Sequence, residues 1–122
     1  SSRNPMGTTP LPGPDILRGT LDLLILKALS GGPAHGYEVA RWIESATSDA
    51  LAVGEGTLYP ALHRLEERGW VKAQWGSSEN NRRAKFYALT KVGRAQLDRE
   101  TESWQRYAAA IFAALDAQAA KP

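Results

Sequence analysis

The segment 54–69 (GEGTLYPALHRLEERG) carries polar side chains whose types suit contacts with a nucleic acid. Thr57, Tyr59 and Arg64 can hydrogen-bond to phosphates or base edges, and Glu55 could accept a hydrogen bond from a cytosine amine. Apolar residues recur between them at helical spacing and predict one buried face, formed by Leu58, Ala61, Leu62 and Leu65. The same spacing also fits a helix whose polar face is simply solvated.

Three cations, Arg82, Arg83 and Lys85, lie close together, with no nearby acid after Glu79. The formal net charge of the chain is only +2, so this local concentration argues for phosphate contacts better than the total charge does. A soluble turn that happens to carry charges is the plainer interpretation. The lack of balancing acids after Glu79 favours phosphate contact.

No pattern in the sequence indicates catalysis or a bound cofactor. There is no cysteine, and the only two histidines, His35 and His63, make a poor metal site. Neither a nucleophile motif nor a phosphate-binding glycine loop occurs. No apolar run is long enough to cross a membrane, and no secretion signal precedes the apolar stretch 21–29. We therefore expect a soluble, cytoplasmic protein that is not an enzyme.

Two helices are predicted before the segment 54–69. The first is expected over 15–30, with Asp15 as its N-cap and the Gly-Gly-Pro of 31–33 as its stop. The second is expected over 35–46, with Tyr37 in its apolar core stripe.

The third predicted helix is the segment 54–69 itself. Pro60 cannot donate a backbone hydrogen bond, so it is expected in the first turn. This places the regular start of the helix near Gly56 or Thr57, and Gly69 is expected to end it.

A β-hairpin and a long helix are predicted to follow. Residues 70–75 (WVKAQW) and 85–89 (KFYAL) have the composition of paired strands, and the polar stretch 76–84 between them is expected to form a projecting tip. Thr90 then caps a last helix from residue 91 to about 118.

This order of elements predicts a mainly α fold with a small β-hairpin, namely a winged helix-turn-helix followed by a long C-terminal dimerisation helix. In such a fold the third helix enters the major groove and the hairpin tip contacts neighbouring phosphates.

A second chain is implied by the apolar character of two helices. The first predicted helix is apolar nearly all round, which requires burial on several sides. The last carries a coiled-coil-like seam, made by Leu97, Trp104, Ala108, Ile111 and Leu115 and widened by Tyr107 and Phe112.

The chain is expected to divide into a flexible arm, a DNA-binding domain, a dimerisation helix and a tail, at 1–14, 15–90, 91–118 and 119–122. The arm is rich in proline and glycine. Its first five residues, SSRNP, precede Met6 and are interpreted as a cloning remnant.

Five motifs together resemble the PadR family of bacterial transcriptional regulators over about 15–115. They are LRGTLDLLILKAL (17–29), HGYE (35–38), GTLYPALHRLEERGW (56–70), RRAKFYALT (82–90) and GRAQL (93–97). The resemblance implies a homodimer of the short-tailed branch that represses transcription by binding inverted repeats near promoters. In that setting Tyr37 is a candidate phosphate contact, although its place in the stripe favours core packing.

The segment ESWQRY (102–107) resembles that of a multidrug-binding family member in which the matching Trp stacks on flat aromatic compounds between two subunits. The resemblance nominates Trp104 and, by adjacency one turn later, Tyr107. Leu23 on the first helix joins them as a candidate ligand contact. The rest of the final helix is Ala-rich, so any pore here would differ in size and polarity.

The leading hypothesis is a dimeric repressor of double-stranded DNA operators that a planar aromatic or drug-like effector would release from DNA. The alternative is a small-molecule-sensing dimer that acts mainly through a partner protein. A ligand would release DNA only if it binds the DNA-competent spacing of the dimer less well than another spacing.

Overall fold

The computed structural model describes residues 14–77 and 80–120. The arm and remnant expected at 1–14 lie outside these residues, apart from Pro14. Helix α1 spans Pro14–Ala28 and continues as one turn of 3-10 helix at Leu29–Gly31, close to the predicted 15–30. Among the described residues, no helix combines the length and apolarity that crossing a membrane requires.

Helix α2 spans Gly36–Ala46 and begins with a reciprocal cap. The Nδ1 atom of His35 accepts the backbone N–H of Glu38, and the Glu38 carboxylate accepts the backbone N–H of His35. The two bonds satisfy donors that a helix start would otherwise leave unpaired. A histidine in this role was not predicted, because Ser, Thr, Asp and Asn are the usual N-caps.

Helix α3 spans Glu55–Glu67 and begins one to two residues earlier than predicted. Pro60 therefore lies in its second turn rather than its first. The expectation failed because the missing N–H of Pro60 deprives only the Gly56 carbonyl of a partner, and Gly56 is exposed, so water can reach that carbonyl. Gly69, with a φ of 79°, follows the helix as predicted.

Three strands form one antiparallel sheet in the order β1-β3-β2, with β1 at Ala34–His35, β2 at Val71–Ser77 and β3 at Arg83–Leu89. The hairpin of β2 and β3 was predicted, but β1 was not. Two residues are too short to show alternation, and β1 exists because Ala34 pairs with Tyr87 and His35 with Phe86.

The hairpin strands extend further than predicted. Ser77 pairs with Arg83, so the connection is 78–82 rather than 76–84. Arg83 consequently lies in β3 together with Lys85, which was already predicted in that strand, and Arg82 alone of the three cations lies in the loop.

One core joins α1, α2, α3, the sheet and the start of α4. Its most deeply buried side chains are Ile25, Leu26, Leu29, Val39, Ile43, Leu58, Leu62, Leu65 and Val71. All four residues of the predicted apolar face of α3 belong to this core, which confirms that face.

Helix α4 spans Lys91–Asp116 and is anchored at its first turn. Thr90 caps it by accepting the N–H of Gly93, as predicted, and its hydroxyl also donates to the Gly69 carbonyl. Gly93 lies so close to the Trp70 carbonyl that a Cβ there would overlap the oxygen. Beyond Leu97 the helix leaves the core, and its apolar seam is exposed within the chain.

Candidate nucleic-acid interface

The outward face of α3 is set by the four core residues on its opposite side. Because successive side chains rotate by about 100° around a helix, the positions farthest from the core are Gly56, Pro60, His63 and Glu67, and all four are exposed. Thr57 and Tyr59 flank this line. His63, which the sequence brought up only as a poor metal ligand, lies near the centre of the exposed face.

Arg64, predicted to contact the groove, is turned toward α1 instead. One guanidinium nitrogen lies 2.6 Å from a carboxylate oxygen of Asp22, whose side chain is 6% exposed. The Nε atom of Arg64 is buried as well. The ion pair holds α3 against α1, so this structure does not support Arg64 as a groove contact.

Tyr59 lies over the first turn of α2 and keeps part of its ring exposed. A Cβ at Gly36 would lie 2.5 Å from the Tyr59 hydroxyl oxygen, so only glycine allows this approach. Tyr59 is nevertheless 43% exposed, beside the outward face of α3. Glu55 and Thr57 are also exposed in the first turn of that helix.

We call β2, β3 and their connecting loop the wing. Arg82 and Arg83 are exposed, and the Arg83 guanidinium carbon lies 4.5 Å from the centre of the Trp75 ring. Lys85 is half-buried, and its amine lies 4.0 Å from a carboxylate oxygen of Glu66 on α3. Lys85 thus offsets an acid of α3, which leaves the two arginines as the more accessible of these three cations.

Tyr37 is 63% exposed, so the expectation that it packs in the core is wrong. Its hydroxyl accepts a 2.9 Å hydrogen bond from Arg41 one turn later. This bond raises the pKa of the Arg41 guanidinium above its ordinary value. With the oxygen accepting from Arg41, the phenolic proton can be donated to another acceptor.

The predicted ligand residues meet on another surface, between α1 and α4. Leu23 and Trp104 line two open grooves of about 610 and 740 Å³, and Tyr107 lines the smaller one. The ring centres of Trp104 and Tyr107 are 5.7 Å apart. The structure therefore brings the three candidates together. Among the residues that it describes, no three His, Asp or Glu side chains cluster as metal ligands would.

Three arrangements escaped the sequence reasoning, namely the His35 cap, the fit of Tyr59 over Gly36 and the Asp22–Arg64 pair. The last had a visible signal, because Asp22 is the one acid within the apolar run 21–29. A buried carboxylate requires a partner, and a nearby helix has to supply it.

Known proteins are similar to this chain over the segment that contains these helices and strands. The Transcriptional regulator PadR-like family matches residues 25–99, which is more than half of the chain. Transcriptional regulator YqjI of Escherichia coli (strain K12) is 33% identical over 84 residues, covering 69% of this chain. The chain spans only 39% of the length of that relative.

Two solved structures share the fold over most of the chain. A transcriptional regulator from Clostridium thermocellum is 33% identical, with a TM-score of 0.71 over 80% of this chain and 95% of the other. A PadR-like transcriptional regulator from Bacillus cereus strain ATCC 14579 is 25% identical, with a TM-score of 0.74 over 86% and 100% of the respective chains. The chain therefore belongs to the PadR-like family of transcriptional regulators, as its motifs predicted.

Proposed function

We propose that the protein is a dimeric repressor that binds an inverted-repeat operator, with α3 in the major groove and the wing on the DNA backbone. The observation that carries the proposal is the outward face of α3, which is exposed, has Thr57, Tyr59 and His63 on or beside it, and belongs to a helix that Lys85 joins to β3 through Glu66. A helix that enters a groove needs such a face, and a hairpin beside it can neutralise the adjacent phosphates.

Thr57, Tyr59 and His63 are proposed to face the base edges, with Glu55 at the start of the helix. Arg82 and Arg83 are proposed to contact phosphates, while Lys85 serves mainly to offset Glu66. This division supplies the phosphate attraction that α3 lacks, because its acids outnumber its unpaired cations.

A second phosphate contact is proposed at α2, where Tyr37 and Arg41 are hydrogen-bonded to each other. The Tyr37 hydroxyl can donate to a phosphate oxygen while Arg41 holds it and adds a positive charge. Both side chains are exposed, so neither has to leave the core to reach DNA.

Salt-dependent binding to duplex DNA tests this arrangement. Arg83→Ala should weaken binding to operator and random duplexes by about the same factor, and should flatten the plot of log affinity against log salt by roughly 0.9. Arg94→Ala, which removes an exposed cation of α4, should leave the slope unchanged. An unchanged slope for Arg83→Ala would contradict the role of the wing.

Dimerisation is proposed to cover the exposed seam of α4. Trp104, Ile111, Phe112 and Leu115 are 38–73% exposed in the single chain, an apolar stripe that a soluble monomer seldom presents. Two copies would place two α3 helices about one turn of DNA apart or slightly more.

Sedimentation velocity tests the proposed dimer. The wild-type chain should sediment as a dimer and Phe112→Glu as a monomer. Val92→Glu, at another exposed apolar residue near the start of α4, should remain dimeric. A monomeric wild-type chain would contradict the proposal.

A small-molecule effector is proposed at the grooves that flank Trp104, in keeping with the resemblance of this segment to a multidrug-binding member. The exposed indole presents a wide π surface to planar compounds, and Leu23 and Tyr107 lie beside it. The second candidate function, a sensor that acts through a partner protein, rests on this same surface.

Quenching of tryptophan fluorescence by ethidium, a planar cation, tests the effector site when the wild-type chain is compared with a Trp104→Phe variant. Quenching in the wild-type chain that the variant loses would support it. Quenching without operator binding at moderate salt would favour the sensor over the repressor.

A further inference from the structure

We infer that Trp75 is a positioning residue that holds the Arg83 guanidinium in place for a phosphate of duplex DNA. The inference rests on the proposed function and adds to it a residue that had been assigned only to a strand. It also changes the kind of contact, from an arginine expected on a projecting tip to an arginine held over an indole ring on a strand.

The Trp75–Arg83 pair is the tightest of its kind among the described residues. The Arg83 guanidinium carbon is 4.5 Å from the Trp75 ring centre, whereas the other cation–aromatic pairs are separated by 5.1 to 5.7 Å. Trp75 is 58% exposed, so burial in the core does not explain a tryptophan at this position.

The pair lies on the side of the sheet that packs against α3. Along a strand alternate residues share a face, so Trp75 shares one with buried Val71, and Arg83 shares one with buried Tyr87. Cross-strand pairing puts these on the same side of the sheet, because Trp75 is opposite Lys85, whose amine approaches Glu66 of α3. Trp75 and Arg83 therefore lie on the face of the sheet that packs against α3, farther along the strands than the buried residues of that face.

Stacking leaves the arginine able to bind an anion. A guanidinium that lies over an indole uses its face for the ring, while its N–H donors point outward in its own plane toward phosphate oxygens. The ring also restricts a side chain with several rotatable bonds, so less conformational freedom is lost when the phosphate is bound.

Fluorescence anisotropy with the full chain and a labelled duplex tests the inference. Trp75→Ala should weaken binding about two- to five-fold, the value of an exposed cation–π contact, and should leave the salt slope unchanged because Arg83 keeps its charge. Trp75→Phe should restore part of the affinity. Gln74→Ala, an exposed neighbour on the opposite face of β2, should bind like the wild-type chain.

A double-mutant cycle separates positioning from direct contact. If Trp75 acts through Arg83, the variant with both Trp75→Ala and Arg83→Ala should bind no more weakly than Arg83→Ala alone. A full two- to five-fold further loss in that background, or wild-type affinity for Trp75→Ala, would overturn the inference while leaving the proposed function intact. A wild-type salt slope for Arg83→Ala would overturn both.

Discussion

The ion pair between Asp22 and Arg64 can distinguish packing within the domain from contact with DNA. The nitrogen–oxygen distance is 2.6 Å, and the two side chains are unequally buried, with Asp22 6% and Arg64 24% exposed. Arg64→Met keeps the apolar length of the side chain but leaves the buried Asp22 carboxylate without a partner. We expect it to lower the free energy of unfolding by about 3 kcal/mol, because water reaches the position of Arg64 but not the Asp22 carboxylate, which stays buried and charged without its partner.

Asp22→Asn should cost less, about 1–2 kcal/mol, because the amide oxygen still accepts from Arg64 and the guanidinium is partly hydrated. Replacing both partners, with Asp22→Leu and Arg64→Met together, should return stability to within about 1.5 kcal/mol of the wild-type chain. Urea unfolding at one fixed protein concentration measures all three, since dimer stability depends on concentration.

DNA binding by the same variants supplies the decisive comparison. If Arg64 serves packing, the double variant should bind duplex DNA within about three-fold of the wild-type chain, a difference below 1 kcal/mol. A variant with Arg64→Met alone that is as stable as the wild-type chain but has lost its preference for the operator would refute this reasoning. Arg64 would then be a groove contact, as the sequence first indicated.

Three further substitutions test two close contacts at glycines and the cap of helix α4. Gly93→Ala should lower the free energy of unfolding by about 3 kcal/mol, because its Cβ overlaps the Trp70 carbonyl oxygen, whereas Gly19→Ala, with nothing within 4 Å, should be neutral or stabilising in thermal unfolding. Thr90→Val should cost about 1–2 kcal/mol through loss of the α4 cap and of the bond to Gly69, and a value near zero in urea unfolding would contradict the cap. Gly36→Ala should displace the Tyr59 ring and weaken DNA binding, but it should have little further effect in a Tyr59→Ala background, and equal losses in both backgrounds would argue against that contact.

The periodic parts of the sequence predicted the fold well. Helices α1, α2 and α4 end within about two residues of their predicted bounds, since apolar spacing, Gly stops and the Thr90 cap are local signals. The strand β1 could not be predicted, because its existence depends on pairing with β3, some 50 residues away.

The predicted site residues were harder to assign, because spacing identifies a polar face but not its neighbours. Arg64 lies on the edge of α3 that meets α1, and only the packing of these two helices brings Asp22 within reach. Tyr37 fits an apolar stripe by spacing, yet the structure leaves it exposed beside Arg41. An aromatic ring with a hydroxyl is suited to either place, so its position had to come from the three-dimensional structure.

Helix α1 links the two surfaces to which function has been proposed. Leu23 lines the grooves against α4, and the next residue toward the N-terminus, Asp22, holds Arg64 of α3. A displacement of α1 by a ligand at Trp104 would move the Asp22 carboxylate relative to α3, and a buried ion pair tolerates little loss of geometry. The ligand can change DNA affinity only by binding one position of α1 better than another. Arg64→Met combined with Asp22→Leu should therefore bind DNA but respond less to the ligand, which separates the linkage from the proposed DNA contacts.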